Sequence, residues 1–505
     1  MAGTPPIPLS RAEKRRRRKH RYQAWRAARA RPATGFVSTP EPRTSGAIAR
    51  GRQLVAGNYL FAGFLVEAPH TPIWDLPMPG ESFEVALNSF SWLDDLAALG
   101  DGRARFAAQD WTWDWIDRFG NGTGPGWTPD LTGRRLIRWI NHAILLLRGR
   151  SPEQSKAFFT SLGQQTIFLS RRWHATTPGL QRFEALVGLI YAGLALTGME
   201  RRIAPALRAL NRECEAQIDE QGGIASRNPE DLLEVFTLLS WAAQALRDVE
   251  RQPDPAHRGA LERIAPTLRS LRHVDGGLAR YHGGGRARDG RLDVALASVS
   301  VKSAVPRDKL AMGFARMNAG RTSVILAAAP PPAGHASANA HASTLAFELT
   351  SGRRPLIVNC GSGATFGETW RRAGRATPTH STLGIEGISS SRLSPENDGG
   401  EVLLDVPTSV SMQPRRVANG TQVLLSHDGY VPSHGLAHVR NLLLSDDGRS
   451  LAGEDTLGAL NEEDRNRFEA VMTEVQLKGV AFSVRFHLHP DVEATADMGG
   501  AAVSL

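Results

Sequence analysis

The spacing of hydrophobic residues changes once along the chain, from a helical period to an alternating one. From about residue 81 to 272, apolar residues recur at i, i+3 and i+4 in segments that Gly and Pro separate. Short connections between such segments predict a series of helical hairpins. The predicted helices lie near residues 83–98, 131–148, 153–173, 180–197, 200–220, 229–250 and 258–272.

After about residue 275 the pattern is that of short strands. In the last of them, apolar residues from Phe482 to Leu488 alternate with polar ones, which places the apolar set on one face. Many short alternating strands predict an antiparallel β-sandwich. The predicted strands are 311–318, 321–329, 344–350, 355–359, 381–386, 401–406, 421–426, 436–444 and 479–488. We therefore predict a multidomain protein, with a helical domain over 51–275 and a β-sandwich over 276–505.

Charge is concentrated at the start of the chain. Residues 1–31 hold eleven of the 60 Lys and Arg residues and one of the 51 acidic residues, a charge of +10 that leaves −1 for the remainder. We predict that 1–50 is a basic, largely disordered tail and linker. Three roles are open: a solvated, partly helical arm that touches anionic surfaces, contact of 11–31 with an anionic membrane surface, or nucleic-acid binding. Nothing else in the sequence favours a specific nucleic acid.

Several classes of protein are excluded. No run of 18 apolar residues is present, and the two cysteines cannot build a disulfide framework. The chain also has no P-loop, GxSxG, HExxH or CxxC motif. No apolar segment follows the basic start, so no signal peptide is visible. This favours a cytoplasmic or membrane-associated location, with the periplasm or envelope as the alternative.

Three segments resemble a known family. Residues 338–360 resemble the start of the C-terminal domain of heparinase II/III-like proteins, 380–382 resemble a later His-Asn-Thr motif of that family, and 222–229 resemble its Gly-Gly helix start. The resemblance implies an α/α toroid followed by a β-sandwich. It also implies a carbon–oxygen lyase that cleaves acidic, uronate-containing polysaccharides by β-elimination. That reaction needs a group that neutralises the uronate carboxylate, a base and an acid.

The resemblance assigns four catalytic positions. Asn339 aligns with the family's catalytic histidine, His341 with its second histidine, and His380 with the later motif. Asp231 aligns with the catalytic tyrosine. Asn339 cannot titrate near neutrality, and Asp231 suits the task less well than Tyr or His. Two functions stay open: an active lyase, which the family favours, or a non-catalytic relative that binds acidic polysaccharide or assists envelope polysaccharide assembly.

The resemblance also implies a metal site made by His341, Asn359 and His380. Zinc is the metal that histidine ligands suggest, although it prefers nitrogen, sulfur and carboxylate ligands to a neutral amide. The alternative is that His341 and His380 are satisfied by backbone carbonyls at a sheet edge.

Four further residues are candidates for substrate binding. Arg227 and Asn228 precede a predicted helix, whose N-terminus favours an anion that Arg227 would pair with. The alternative is purely structural, with Asn228 as the N-cap. Trp111 and Trp113 could stack on a sugar or lie in the core. Because alternating tryptophans do not follow a helical period, we expect at least one outside the core.

Overall fold

The chain begins with helices and continues with antiparallel strands, which confirms the predicted fold class. The computed structural model describes residues 11–37, 41–299, 309–395, 402–476 and 478–505. They form two compact units, the helical unit within Met1–Gln217 and Thr237–Leu261 and the sheet unit within Ile218–Phe236 and Glu262–Leu505. The segment 218–236 thus belongs to the sheet unit although its sequence has a helical period. No helix of the described ranges is both long and apolar enough to cross a membrane.

The helices of the first half are mostly short and connected closely. They are α1 (Arg11–Ala28), α2 (Ile48–Val55), α3 (Glu81–Asn88), α4 (Trp92–Leu99), α5 (Gly102–Phe119), α6 (Pro129–Asn141), α7 (Ala143–Leu147), α8 (Pro152–Arg172), α9 (Leu180–Ala195), α10 (Ile203–Gln217), α11 (Pro229–Asp248) and α12 (Pro255–Ser270). A hairpin of β1 (Asn58–Phe61) and β2 (Phe64–Glu67) lies between α2 and α3.

Local sequence explains where these helices begin and how closely they pack. The Ser151 hydroxyl accepts a hydrogen bond from the Gln154 N–H at 3.2 Å, and the Gln154 amide oxygen accepts one from the Ser151 N–H, so a capping box starts α8. The helix α9 is buried on nearly all sides and crosses α6 at Gly133 and Gly188. A Cβ on Gly188 would lie 2.4 Å from the Gly133 Cα, so only glycine permits this crossing.

The alternating tryptophans lie on one continuous helix, which the sequence did not predict. Asp101 caps α5 by accepting a hydrogen bond from the Ala104 N–H at 2.7 Å. Trp115 is fully buried and packs edge-on against Trp139 at 5.5 Å. The Arg135 guanidinium lies 4.0 Å from the Trp115 ring. The tryptophans of α5 point to two sides of the helix, and aromatic rings of neighbouring residues pack against each of them.

The basic start of the chain is more ordered than the sequence predicts. Residues 11–28 form α1, which packs on α8 through a narrow face of small side chains and one histidine: His20, Ala24 and Ala27. The Arg172 Nε donates to the His20 Nδ1 at 3.3 Å. Because most residues of α1 are charged, this narrow buried face could not be recognised from the hydropathy of the segment. Residues 1–10 and 38–40 of the predicted tail lie outside the described residues.

Two four-stranded antiparallel sheets share one core in the sheet unit. The first has the order β3 (Phe314–Ala319), β4 (Thr322–Ala327), β5 (Phe347–Ser351), β6 (Arg354–Ile357), and the second β10 (Val410–Val417), β11 (Gly420–Tyr430), β12 (Leu436–Ser445), β13 (Leu451–Gly458). Their facing side chains include Leu326, Phe347, Leu425 and Leu442. The edge strands β10 and β13 were not predicted, because their largely exposed polar residues give no apolar alternation.

Shorter elements complete this unit. The remaining strands are β7 (Leu383–Ile385), β8 (Arg392–Leu393), β9 (Leu403–Asp405), β14 (Phe482–Val484), β15 (Thr495–Asp497) and β16 (Ala502–Ser504). The remaining helices are α13 (Arg291–Ala297), α14 (Glu368–Gly374), α15 (Val431–His434) and α16 (Glu462–Glu474). The first residue of the predicted strand 401–406 lies outside the described residues.

The predicted strand over 479–488 is wrong in length and in the face it buries. In this range β14 pairs with β7, and Leu488 forms an isolated antiparallel bridge with Ile357. Val484 packs against a core cluster, but Phe482 is 59% exposed and Phe486 54% exposed, so half of the alternating apolar set does not face a core. Alternation alone indicates a two-faced strand but does not show that a partner layer covers either face.

Candidate functional site

The residues that the resemblance aligns with the family's catalytic positions all lie in the sheet unit. The first of them along the chain, Asp231, lies in the first turn of α11. The Asn228 Oδ1 accepts hydrogen bonds from the N–H groups of Glu230 at 2.9 Å and Asp231 at 3.3 Å. The structural interpretation of Asn228 as an N-cap is therefore confirmed. The Ser226 hydroxyl donates to Asp231 Oδ2 at 3.1 Å, which holds this carboxylate in the first turn.

Arg227 is turned toward the backbone of the sheet unit. Its Nε donates to the Met312 carbonyl at 3.0 Å, its Nη2 to the Gly313 carbonyl at 3.0 Å, and its Nη1 to the Pro330 carbonyl. The guanidinium also lies 5.0 Å from the Phe314 ring. Burial lowers the pKa of Arg227 to about 10. This geometry replaces the predicted pairing with a uronate, because every guanidinium nitrogen already binds a carbonyl.

The structure brings His341 and His380 together. Both are buried, and their ring centroids are 5.2 Å apart. The His380 Nδ1 lies 2.8 Å from the Asn359 Oδ1, so this nitrogen carries the proton and Nε2 keeps its lone pair. Among the described residues, neither His380 Nε2 nor His341 Nδ1 has a hydrogen-bond partner. The proposed pairing of these histidines with sheet-edge carbonyls is thus not what the structure shows.

Burial keeps both imidazoles neutral. It lowers the pKa of His341 to about 3, with Arg375 and Arg371 adding to the effect, and lowers the pKa of His380 well below its usual value. A neutral imidazole can accept a proton or bind a metal. The pair is therefore chemically available at neutral pH, although at such low pKa values each is a weak base.

His282 lies beside this pair, although no motif in the sequence predicts it. The His341 backbone N–H donates to His282 Nδ1 at 3.2 Å, and the two rings are 6.5 Å apart. Its neighbour Tyr281 is the nearest tyrosine in sequence, but the Tyr281 hydroxyl donates toward the carbonyls of Ile325 at 2.9 Å and Ala346 at 3.1 Å. That hydroxyl is committed to the backbone, and burial raises its pKa. The sequence Tyr281-His282-Gly283 matches no motif, so neither the contacts of Tyr281 nor those of His282 could be predicted from it.

The donor set does not fit a zinc ion. The Asn359 Oδ1 accepts from His380, and its Nδ2 donates to the Arg280 carbonyl at 2.8 Å, so both ends of the amide are engaged. The imidazoles of His282, His341 and His380 then remain, and they do not converge on one point as the ligands of a zinc ion must. Within the described ranges, no cluster of three or more His, Cys, Asp or Glu residues is suited to a metal.

The two changed catalytic positions lie on either side of one glycine loop. A Cβ on Gly283 would lie 3.3 Å from the Asn339 Cβ, and one on Gly284 would lie 2.2 Å from the Asn228 Oδ1. The Gly285 N–H donates to Glu230 Oε2 at 2.8 Å. The start of α11 and the exposed Asn339 therefore border the same loop. Asn339, which the resemblance aligns with the family's catalytic histidine, presents an amide to solvent.

The tryptophan candidates lie in the helical unit. Trp113 is buried and stacks on Phe158 at 5.8 Å, with the Arg150 guanidinium 4.7 Å from its ring. Trp111 is half-buried and packs edge-on against Trp92 at 5.2 Å. The structure therefore favours the core role for both rings over the predicted stacking on a sugar.

Comparison with known proteins identifies the family. Residues 304–505 match the model of the heparinase II/III-like C-terminal domain. The chain is 31% identical over 444 residues to FtsZ-localized protein C of Caulobacter vibrioides, covering 85% of this chain and 73% of that protein.

Solved structures show the same fold. Heparinase III superimposes with a TM-score of 0.58 at 13% identity, covering 86% of this chain and 77% of that one. A heparan sulfate lyase HepC mutant from Pedobacter heparinus gives a TM-score of 0.54 at 15% identity, covering 97% and 78%. Together with the match of 304–505 to the family's C-terminal domain and the relative of 31% identity, this shared fold shows that the chain belongs to the heparinase II/III-like family.

Proposed function

We propose that this chain is a non-catalytic member of the family that binds an acidic polysaccharide. The observation that carries the proposal is Asn339, a solvent-exposed amide where the family resemblance expects the catalytic histidine. β-Elimination needs a group that removes the proton next to the uronate carboxylate, and an amide cannot do so near neutral pH.

The opposite side of the glycine loop supports the same conclusion. Asp231 replaces the tyrosine that the resemblance expects, and its carboxylate would repel a uronate rather than neutralise it. Arg227, the nearest candidate for neutralising that charge, is committed to three backbone carbonyls. The acid, the base and the carboxylate partner of the lyase reaction therefore all lack their usual residues.

The test combines binding and turnover on one panel of uronate polysaccharides. We expect affinity electrophoresis to detect binding to at least one polymer, and we expect no rise in ultraviolet absorbance from an unsaturated uronate product. The variant Asn339→His, Asp231→Tyr restores the two aligned residue types. Turnover by the unmodified protein that His341→Ala abolishes would contradict the proposal.

A second candidate, an active lyase, is favoured by the buried histidines. His341 Nδ1 and His380 Nε2 are unpartnered within the described part of the chain, and a role in binding or catalysis would explain why the fold keeps two such costly atoms. If the chain is a lyase, His341→Ala and His380→Ala will each abolish turnover, whereas the exposed His335→Ala will not. Equal activity in all three variants excludes these histidines from catalysis.

We further propose that the chain localises with FtsZ, as its relative's name states for that protein, and contacts an anionic membrane surface through residues 11–31. The support for membrane contact is the exposed end of α1, where Tyr22 stacks on Trp25 at 6.1 Å and Arg29, directly after the helix, lies 3.7 Å from the Trp25 ring. A fluorescent fusion of the full chain should overlap with FtsZ in cells. A uniform distribution would contradict this location.

A further inference from the structure

Four arginines of the helical unit lie together where α1 packs on the end of α8. Arg26 belongs to the last turn of α1, and Arg171 belongs to the last turn of α8. Arg201 and Arg202 directly precede α10, and the Arg202 Nη1 donates to the Ser170 hydroxyl. Because Ser170 precedes Arg171 in the chain, this bond holds Arg202 against the last turn of α8. We call Arg26, Arg171, Arg201 and Arg202 the arginine cluster.

The members of the cluster are close enough to oppose one another's charge. Burial lowers the pKa of Arg171, and the charge of Arg26 lowers it further. Burial also lowers the pKa of Arg202, and the charges of Arg201 and Arg171 add to that effect. Like charges that are partly removed from water raise the free energy of the fold unless an anion balances them.

The part of the chain that the structure describes supplies no carboxylate to balance this charge. None of the four arginines forms an ion pair there, whereas Arg182 of the same unit pairs with Glu213 at 2.7 Å. The Arg171 Nη1 and the Arg202 Nε also have no hydrogen-bond acceptor among the described residues. The cluster therefore offers guanidinium donors to an anion from outside the chain.

The ends of the helices explain only part of this arrangement. The dipole of a helix favours cations in its last turn, which accounts for Arg26 on α1 and for Arg171 on α8. Arg201 and Arg202 lie at the opposite kind of helix end, directly before α10, where the dipole favours an anion. Their charge opposes that dipole, so an anion at this place would satisfy both the arginines and the start of α10.

A phosphate group suits this combination of donors. Guanidinium groups bind phosphate oxygens through paired N–H donors, and several of them together favour a phosphate monoester, which carries about −1.5 to −2 charge at neutral pH. We propose that the arginine cluster is a binding site for a phosphate monoester. Free phosphate esters and the headgroup of phosphatidic acid share this chemistry. The inference goes beyond the proposed function, and only its lipid form rests on the membrane contact proposed for residues 11–31.

The first arm of the experiment tests free phosphate esters on the full chain. Isothermal titration calorimetry measures binding of glycerol 3-phosphate in chloride buffer at constant ionic strength. The site variant is Arg171→Gln, Arg202→Gln. The control variant, Arg208→Gln, Arg212→Gln, removes the same charge from exposed positions of α10. We expect the site variant to bind at least about tenfold more weakly and the control variant to bind as the unmodified chain does.

The second arm tests the lipid headgroup by sedimentation with phosphatidylcholine vesicles. The vesicles contain either phosphatidic acid, a phosphate monoester, or phosphatidylglycerol, a phosphodiester, at matched surface charge. We expect the unmodified chain and the control variant to prefer phosphatidic acid, and we expect the site variant to lose that preference. The variant Arg171→Lys, Arg202→Lys keeps the charge but loses the paired donors, so it should also lose the preference while it keeps the fold.

The two arms separate the source of the phosphate from the existence of the site. Loss of binding in the site variant alone, in either arm, supports the site and names its source. If the site variant and the control variant behave alike in both arms, the cluster is an ordinary cationic surface and the proposal is overturned. If the unmodified chain binds both kinds of vesicle equally and does not bind glycerol 3-phosphate, the site is overturned while the membrane contact stands. If it binds glycerol 3-phosphate through the cluster but binds no vesicle, the membrane contact fails while the site stands.

Discussion

Arg227 shows how a residue expected at a ligand can serve the fold instead. It has a left-handed backbone conformation, φ 49°, directly before the N-cap of α11. From there its guanidinium reaches carbonyls of residues 312, 313 and 330. One side chain thus ties the start of α11 to two distant segments of the sheet unit.

We predict that Arg227→Ala destabilises the protein. The substitution leaves three backbone carbonyls without their donor, and each lost bond to a buried group costs about 1–3 kcal/mol, so the free energy of unfolding should fall by about 3 kcal/mol or more. Urea unfolding measures the change. Arg353→Ala, at an exposed position, should stay within about 0.5 kcal/mol. A variant with normal stability that loses polysaccharide binding would show that Arg227 contacts the ligand.

For single residues, a contact could be predicted from the sequence only when its two partners lie close together along the chain. The N-cap role of Asn228 was predictable because its partners are the next two or three residues. The approach of His341 to His380 followed from the family resemblance. The partners of Arg227 and the addition of His282 were not predictable, because they depend on contacts across 59 to 103 positions of sequence.

At the scale of elements, α5 is the case in which side-chain spacing misled. Trp111, Trp113 and Trp115 alternate as in a strand, yet they lie on one helix whose neighbours supply aromatic rings on several sides. The prediction of a helix from its hydrophobic spacing assumes that only one face of the helix is buried. A helix that packs aromatic rings on two of its sides does not meet that assumption.

We predict that burial along α5 determines the cost of removing each ring. Trp115→Ala should lower the free energy of unfolding by about 3–5 kcal/mol, because Trp115 is fully buried. Trp111→Ala should cost less, because Trp111 is half-buried. Denaturant unfolding of both variants provides the comparison. Equal losses, or a larger loss for Trp111, would contradict the packing described for α5.

A row of titratable groups crosses three neighbouring strands of the second sheet. The His438 Nδ1 lies 3.2 Å from the His427 Nε2, and the His438 Nε2 lies 2.7 Å from Asp455 Oδ1. Burial lowers the pKa of both histidines. Burial opposes the ionised form of Asp455, but hydrogen bonds from His438 and Arg440 prevail and lower its pKa to about 2.

These shifts predict a loss of stability in mild acid. Below about pH 6.5 the histidines of the unfolded chain bind protons that the folded chain excludes, so stability falls with falling pH. The contribution of Asp455 to the free energy of unfolding is lost at lower pH, as the pH falls from about 4 to about 2. We expect a lower urea midpoint at pH 5 than at pH 7.5, and a smaller difference in His427→Gln. An identical pH dependence in the variant would show that this row does not carry the effect.

At the scale of the molecule, the net positive charge lies in residues 1–31, whereas the hydrophobic spacing that predicts the fold lies in the rest of the chain. The change of period along the sequence predicted helices before strands, because each class needs its own hydrophobic spacing. The edge strands β10 and β13 escaped prediction, because exposed strands lack that spacing. The order of α1 escaped it too, because three small or polar residues form its buried face.

The outer face of α1 predicts salt-sensitive binding to anionic vesicles. Arg15, Arg18 and Arg21 are exposed, and each cation near an anionic surface contributes about 1 kcal/mol. Replacing all three by Gln should weaken vesicle binding at least about tenfold in a sedimentation assay. The control replaces Arg353, Arg354 and Arg415, which are exposed in the sheet unit. Equal losses in both variants would mean that net charge matters and α1 does not.

The central claim is that the family fold is kept here without lyase chemistry, and turnover tests it most directly. The full chain is incubated with each polymer of the uronate panel, and the ultraviolet absorbance of unsaturated uronate is followed while affinity electrophoresis measures binding. We predict binding to at least one acidic polymer and no rise in absorbance with any. A rise that depends on His341 and His380 would contradict the claim and establish a lyase whose proton-transfer groups differ from those the family resemblance assigns.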